Sequence, residues 1–240
     1  IAAAIKDNAA RQQQANEAAK KAQAEAAAKG DSTALFFSAL NGQNQPVVLK
    51  NDKVELTFNT KGGSIAKAVI KGFEDRDDKM DVTLFDEKTQ QMNFMLAGKS
   101  ENIITQDLYF TPSNVTDSTV TMTAQAGNGG SLVLNYQLGK DYMLHFNLQA
   151  QGLNGMFAPN YKEMDIEWTD MARQQEKGFT FENRYSTLTY KEKNGGTDYL
   201  NETSEKIDEK IEEQLDWVAF KNQFFSAALI AKSEFAANSL

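Results

Sequence analysis

Apolar and polar positions alternate along much of this chain with a period of two, the spacing of a strand that buries one face. The pattern is clearest in Val47-Val48-Leu49, Val54-Glu55-Leu56-Thr57-Phe58 and Ser64-Ile65-Ala66-Lys67-Ala68-Val69-Ile70. Further strand candidates are Val82 to Phe85, Asn93 to Leu96, Leu108 to Thr111, Val115 to Ala124, Ser131 to Leu138 and Tyr142 to Gln149. Asp165 to Thr169, Phe179 to Phe181 and Ser186 to Tyr190 complete the series. Turn signals separate these segments at Gly62-Gly63, Asp77-Asp78, Gly127-Asn128-Gly129-Gly130, Gly139-Lys140-Asp141 and Asn194-Gly195-Gly196. Many strands at short intervals with few helical stretches predict an all-β sandwich, an architecture that can exceed about 200 residues as one domain.

The densest apolar run lies near the end, from Gln214 to Lys232. Two apolar blocks, Trp217 to Phe220 and Phe224 to Ile230, flank the polar triplet Lys221-Asn222-Gln223, the pattern of two strands joined by a tight turn. An amphipathic helix is the competing reading, because Trp217, Phe220, Phe224 and Ala228 also recur at helical spacing. The run from Phe224 onward is apolar on nearly every side, which favours strand. Trp217, Phe220, Phe224 and Phe225 are therefore expected in the core.

Other segments depart from the β pattern. Residues 1–29 are rich in Ala, Gln, Lys and Glu, with no Gly or Pro and only Ile1 and Ile5 as large apolar side chains. Such a segment favours helix without a stripe to bury, a solvated stalk of about 44 Å if wholly helical. Residues 1–33 are accordingly read as a tether and residues 34–240 as the folded domain. Asp170 to Lys177 reads as a short helix or an excursion across the sheet, and the acidic run Glu202 to Gln214 as a solvated loop or helix face.

Composition narrows the function classes. Apolar residues make up 41% of the 240, enough for a substantial core. The longest apolar runs fall far short of the ~20 residues of a membrane-spanning helix, and no basic segment followed by an apolar core marks a secretory signal. A net charge of −8 argues against nucleic acid and anionic lipid as partners. With no cysteine there is no disulfide and no thiolate chemistry.

Candidate chemistry is sparse. Asn59-Thr60-Lys61-Gly62-Gly63-Ser64 lacks phosphate-loop spacing, and Gly62 and Gly63 are read as the turn of a hairpin. Asp75, Asp77 and Asp78 lie in a loop where a calcium-binding pattern would need Gly at Met80 and Glu at Asp86. Asp165 and Glu167 share a strand face and form a carboxylate pair only in principle. His145 is the only histidine, so neither a His-His metal site nor a paired-histidine acid/base site can form. No catalytic residue, cofactor or metal is expected.

Two stretches carry a family resemblance. Lys53 to Phe58 with the Asn59-Thr60-Lys61-Gly62-Gly63 turn, and Trp217 to Ile230, resemble segments of the large periplasmic domain of YidC-type membrane protein insertases. The resemblance runs from about Val47 to Ile230. It implies a twisted super-sandwich akin to the galactose mutarotases, carried on a tether that follows a membrane anchor. It also implies a place on the periplasmic face of the bacterial inner membrane. The implied role is non-catalytic: a scaffold, partner-contact or chaperone-like module of an insertase acting alone or with the Sec translocon on nascent membrane proteins. The family's domain continues past the point matching Lys232, so the chain is expected to stop short of its end and to leave a sheet edge able to pair with another copy. The alternative reading is a carbohydrate-binding or mutarotase-like sandwich, because fold alone does not settle function.

Overall fold

The computed structural model describes residues 35–99, 101–160, 162–201 and 210–237, together with the isolated positions Glu17 and Lys21. The expected tether and most of the acidic run lie outside them. The fold is all-β, and the described helical segments are short. The chain divides into two compact units, residues 1–67 with 91–169 and residues 68–90 with 170–240.

In the first unit, β1 (Pro46–Lys50) and β2 (Val54–Asn59) form an antiparallel pair that continues into β3 (Ile65–Glu74). The expected alternation appears directly: Val47 and Leu49 on β1, and Val54, Leu56 and Phe58 on β2, are buried while their neighbours are not. A second sheet runs β10-β9-β8-β7, from β7 (Thr111–Ser113), β8 (Thr119–Gln125), β9 (Ser131–Leu138) and β10 (Leu144–Gln151). Its inner strand β9 is buried at every position from Ser131 to Leu134, whereas the equally flanked β8 alternates. A third sheet has the order β11-β5-β6, with β5 (Gln90–Leu96), β6 (Ile103–Ile104) and β11 (Asp165–Asp170).

The core of this unit is aromatic at its centre. Phe58 of β2 meets Tyr136 of β9 with ring centroids 4.6 Å apart, Tyr136 stacks on Phe146 at 5.8 Å, and Phe146 lies 5.9 Å from Phe94. The Tyr136 hydroxyl is buried and donates to the Gly63 carbonyl at 2.7 Å, so the polar tip of the ring is satisfied by the hairpin turn. That turn uses left-handed backbone at Gly62 (φ 81°) and Gly63 (φ 64°), a conformation that costs other residues. A Cβ on Gly63 would also fall 2.9 Å from Leu134 Cδ1. Both demands single out glycine.

The chain enters the second unit along β3. There, β4 (Met80–Asp86) follows β3, and after β11 comes an irregular excursion leading to a one-turn helix, α1 (Phe179–Glu182). The main sheet has the order β13-β12-β14-β15, from β12 (Thr187–Glu192), β13 (Thr197–Asn201), β14 (Leu215–Lys221) and β15 (Ser226–Phe235). Tyr190, Ile211 and Leu215 form its buried cluster, with Val218 and Phe235 packed against it.

Two predicted strands differ from the structure and one observed strand was not predicted. Phe179 to Phe181 is helical rather than extended, because the carboxylate of Glu182 draws the chain back onto Gln175 and Glu176. Leu108 to Thr111 supplies only the first residue of β7, since Thr105–Asp107 is a turn of 3-10 helix and Leu108 returns its N–H to Thr105. β13 has too little apolar character to be seen as a strand, and its pairing with β12 places it.

Candidate functional site

The excursion from Asp170 to α1 is fastened to the β3–β4 hairpin by polar contacts within the second unit. Glu182 is buried and accepts N–H groups from Gln175 at 2.9 and 3.1 Å and from Glu176 at 3.0 Å. Arg173 pairs with Asp86 at 2.6 Å, Arg76 donates to Gln174 at 2.7 Å, and the Gln175 side chain donates to the Thr83 carbonyl at 2.9 Å. Lys177 reaches Asp78 at 2.8 Å, and this hydrogen bond and charge raise its pKa. Asp75, Arg76, Asp77, Thr83 and Arg173 to Gln175 line an open polar cleft of about 290 Å³.

The acidic loop serves this hairpin. The Asp75 carboxylate accepts the N–H of Asp77 at 2.8 Å and of Lys79 at 3.0 Å, closing an Asx turn. The Lys79 N–H is the main reason its pKa is lowered. Among the described residues, no group of three or more His, Cys, Asp or Glu side chains could hold a metal ion. His145 is exposed on β10 in the first unit, and Asp165 and Glu167 both lie on β11. At the end of β11, Asp170 has a buried Oδ1 with no hydrogen-bond partner among the described residues, and burial pushes its pKa up to about 6.

A second surface lies on the β12-β14-β15 sheet. Register places Trp217 opposite Ile230, Ala219 opposite Ala228 and Lys221 opposite Ser226, with Thr189 of β12 beside Ala219. These seven residues line an open groove of about 260 Å³. Its floor is small because the Ala219–Ala228 pair lies between the taller Trp217–Ile230 pair and the Lys221–Ser226 pair. Its chemistry is shape and apolar contact, with polar groups from Thr189, Lys221 and Ser226. This arrangement can hold an apolar side chain against the indole, and it contains no acid/base pair.

The aromatic residues expected in the core divide here. Trp217, Phe220 and Phe225 are half-buried, and Phe225 makes an edge contact with Phe73 at 5.7 Å. Phe224, expected in the core, is 64% exposed. It occupies the β14–β15 turn, where Asn222 Oδ1 accepts the N–H groups of Phe224 and Phe225 and Asn222 N–H donates to the Phe225 carbonyl. A turn residue leaves the alternation that would have buried it. The second unit also exposes Met171, Phe179, Phe181 and Ile230, each more than half accessible.

Sequence reasoning missed Glu182 and the Arg173–Asp86 pair, which lie 87 residues apart for the pair and carry no local pattern. The groove was nearer to view, since the period-two spacing of Trp217-Ala219-Lys221 and Ser226-Ala228-Ile230 puts each triplet on one strand face.

Comparison with known proteins gives consistent matches. The family model described as YidC periplasmic domain matches residues 46–240. The chain is 48% identical over 211 residues to the membrane protein insertase YidC of Phocaeicola vulgatus, covering 88% of this chain and 34% of that protein. It is 42% identical to that of Bacteroides fragilis strain ATCC 25285, over 85% of this chain and 33% of the relative. The corresponding protein of Parabacteroides distasonis is 38% identical over 86% of this chain and 33% of its own length. The chain thus spans about one third of the length of the curated relatives it matches.

Proposed function

Because the chain belongs to the YidC periplasmic domain family, we propose that it works as the non-catalytic periplasmic part of a membrane protein insertase at the bacterial inner membrane. In this reading the domain is a scaffold and contact module, chaperone-like toward nascent membrane proteins, within an insertase that acts alone or beside the Sec translocon. The observation that carries the reading is the family match over residues 46–240 together with 48% identity to a protein named as an insertase. The exposed apolar side chains of the second unit and the groove beside Trp217 support a contact role, because exposed apolar surface of this kind commonly marks interaction sites.

The test uses the native protein. An antibody raised against these residues is applied to fractionated source cells whose membranes have been washed with alkali. A species far larger than this chain that stays in the washed membrane is the expected result. Crosslinking from the groove at Lys221 should then recover Sec components or nascent membrane proteins. A soluble species of about the size of this chain would overturn the reading.

A further inference from the structure

Four Asn-Gly steps occur in the chain, at Asn41-Gly42, Asn128-Gly129, Asn154-Gly155 and Asn194-Gly195, and all lie among the described residues. Such a step is reactive in itself, because glycine has no side chain to keep its backbone nitrogen away from the Asn Cγ one residue back. The attack needs a Gly N–H that is not already donating and an Asn side chain able to swing onto it. Three of the steps are held by contacts inside their own unit. At Asn128 the Gly129 N–H donates to the Ala126 carbonyl at 3.1 Å, the Asn128 Oδ1 accepts the Gly130 N–H at 2.9 Å, and its Nδ2 donates to the Gly152 carbonyl at 3.5 Å. Gly42 lies under the Tyr109 ring, where even a Cβ would come within 2.6 Å of the ring's Cγ. Gly195 is crowded by the Glu192 carboxylate, whose charge also opposes ionisation of the neighbouring N–H.

Asn154 differs. Leu153 to Met156 form a β-turn closed by the Met156 N–H on the Leu153 carbonyl at 3.0 Å, with Gly155 in third place at φ 75°. This is the type II turn, whose closing bond uses only its outer residues and leaves the central N–H unused. Among the described residues neither the Gly155 N–H nor the Asn154 side chain has a hydrogen-bond partner. A Cβ on Gly155 would meet nothing within 4 Å, so the space for ring closure is open. The turn is fixed from within the unit, since Leu153 is buried against Gly130 and the Met156 carbonyl accepts the Lys99 N–H at 2.8 Å.

We propose that Asn154 is a site of hydrolytic deamidation, with the chain as its own substrate and water as the co-reactant. The Gly155 nitrogen gives up its proton and bonds to Asn154 Cγ, the Cγ–Nδ2 bond breaks, and Nδ2 leaves as ammonia with that proton. Water then opens the cyclic imide. Attack at Cγ breaks the new bond and gives aspartate. Attack at the main-chain carbonyl carbon breaks the original peptide bond and gives isoaspartate, in which the chain runs through Cβ and Cγ. Nothing is oxidised or reduced, and either product carries an added negative charge. Isoaspartate also lengthens a turn whose ends are held by Leu153 and Met156, whereas aspartate keeps the main chain as it was. This inference goes beyond the insertase reading and does not depend on it.

The test compares the four steps within one molecule. The 240-residue chain is incubated at mildly alkaline pH, folded and in denaturant, and mapped over time by peptide mass and by isoaspartyl methyltransferase labelling. In denaturant the four steps should react at similar rates. In the folded chain Asn154 should stay within about threefold of its denatured rate, while Asn41, Asn128 and Asn194 slow at least about tenfold because their reaction waits on local opening. Asn154→Gln should abolish product at this step and leave the other three rates unchanged. The same incubation of the full-length protein recovered from source cells should give isoaspartate at Asn154 first. Asn154→Asp, which has the charge without the longer main chain, should keep the native unfolding midpoint, and the aged chain should fall below it. A folded rate at Asn154 no faster than that at Asn128 would overturn the proposal, as would an Asn154 that stays intact in the full-length protein. An aged chain that melts with Asn154→Asp would overturn the effect on the turn.

Discussion

Removing one oxygen atom tests how the hairpin turn and the aromatic core of the first unit depend on each other. Tyr136→Phe keeps the ring against Phe58 and Phe146 and deletes only the hydroxyl that donates to the Gly63 carbonyl at 2.7 Å. The net value of a neutral buried hydrogen bond is about 1 kcal/mol, and leaving a buried carbonyl unsatisfied costs about 1–3 kcal/mol. The lost bond and the stranded carbonyl are one event, so the expected destabilisation is about 1–3 kcal/mol. At about 2–4 °C per kcal/mol for a chain of this size, the melting midpoint should fall by several degrees. The two tryptophans make the assay specific to a unit, since Trp168 lies in the first and Trp217 in the second. In a Trp217→Phe background, denaturant unfolding followed by Trp168 fluorescence should move to lower midpoint on Tyr136→Phe. In a Trp168→Phe background, the Trp217 signal should move less if the units unfold separately. An unchanged Trp168 midpoint would refute the coupling of turn to core.

The turn itself predicts a graded response. Gly63→Ala meets both positive φ and the 2.9 Å approach to Leu134, whereas Gly72→Ala meets positive φ alone with nothing within 4 Å. The first should cost about 1–3 kcal/mol more than the second by chemical denaturation. Phe224→Ala should change stability by no more than about 0.5 kcal/mol because the ring is exposed, against about 3 kcal/mol or more for Tyr190→Ala in the buried cluster. Thermal melts of the two variants side by side check this, and a large loss at Phe224 would contradict its placement. Asp170 gives a pH signature. Its folded pKa of about 6 lies above the ordinary 3.8, so the folded state holds the proton longer and stability falls as pH rises from 3.8 through about 6. Asp170→Asn should be more stable than the native chain at about pH 7, with the difference shrinking toward about pH 4. A difference independent of pH would remove burial of this carboxylate as its cause.

Most strands were legible because each is a local alternation with one face buried. Val54 to Phe58 shows the signal at its cleanest, becoming β2 almost residue for residue, while Ser131 to Leu138 becomes β9 although its first four positions are all buried. The failures were also local. Phe179-Thr180-Phe181 has the period of a strand over three residues, too few to outweigh a buried carboxylate that folds the chain back at Glu182. Phe224 belongs to an apolar run by composition, and a turn set by Asn222 Oδ1 takes it out of that run's alternation. The groove was half-visible. Its two triplets could be assigned to strand faces, but their alignment across β14 and β15 depended on that same turn.

The sequence by itself determined the all-β class, the strand-rich segments, the glycine turn at Gly62-Gly63 and the family resemblance. All of these rest on interactions between near neighbours: side-chain period, backbone conformational preference and contiguous motif. Tertiary structure alone decided that residues 68–90 join residues 170–240 in one unit and that β14 pairs with β12. It also brought Arg173 to Asp86. These depend on which distant segments close together. Closing a longer loop costs only slightly more entropy, so no local pattern marks the partner, and burial and hydrogen-bond satisfaction over the whole unit select it.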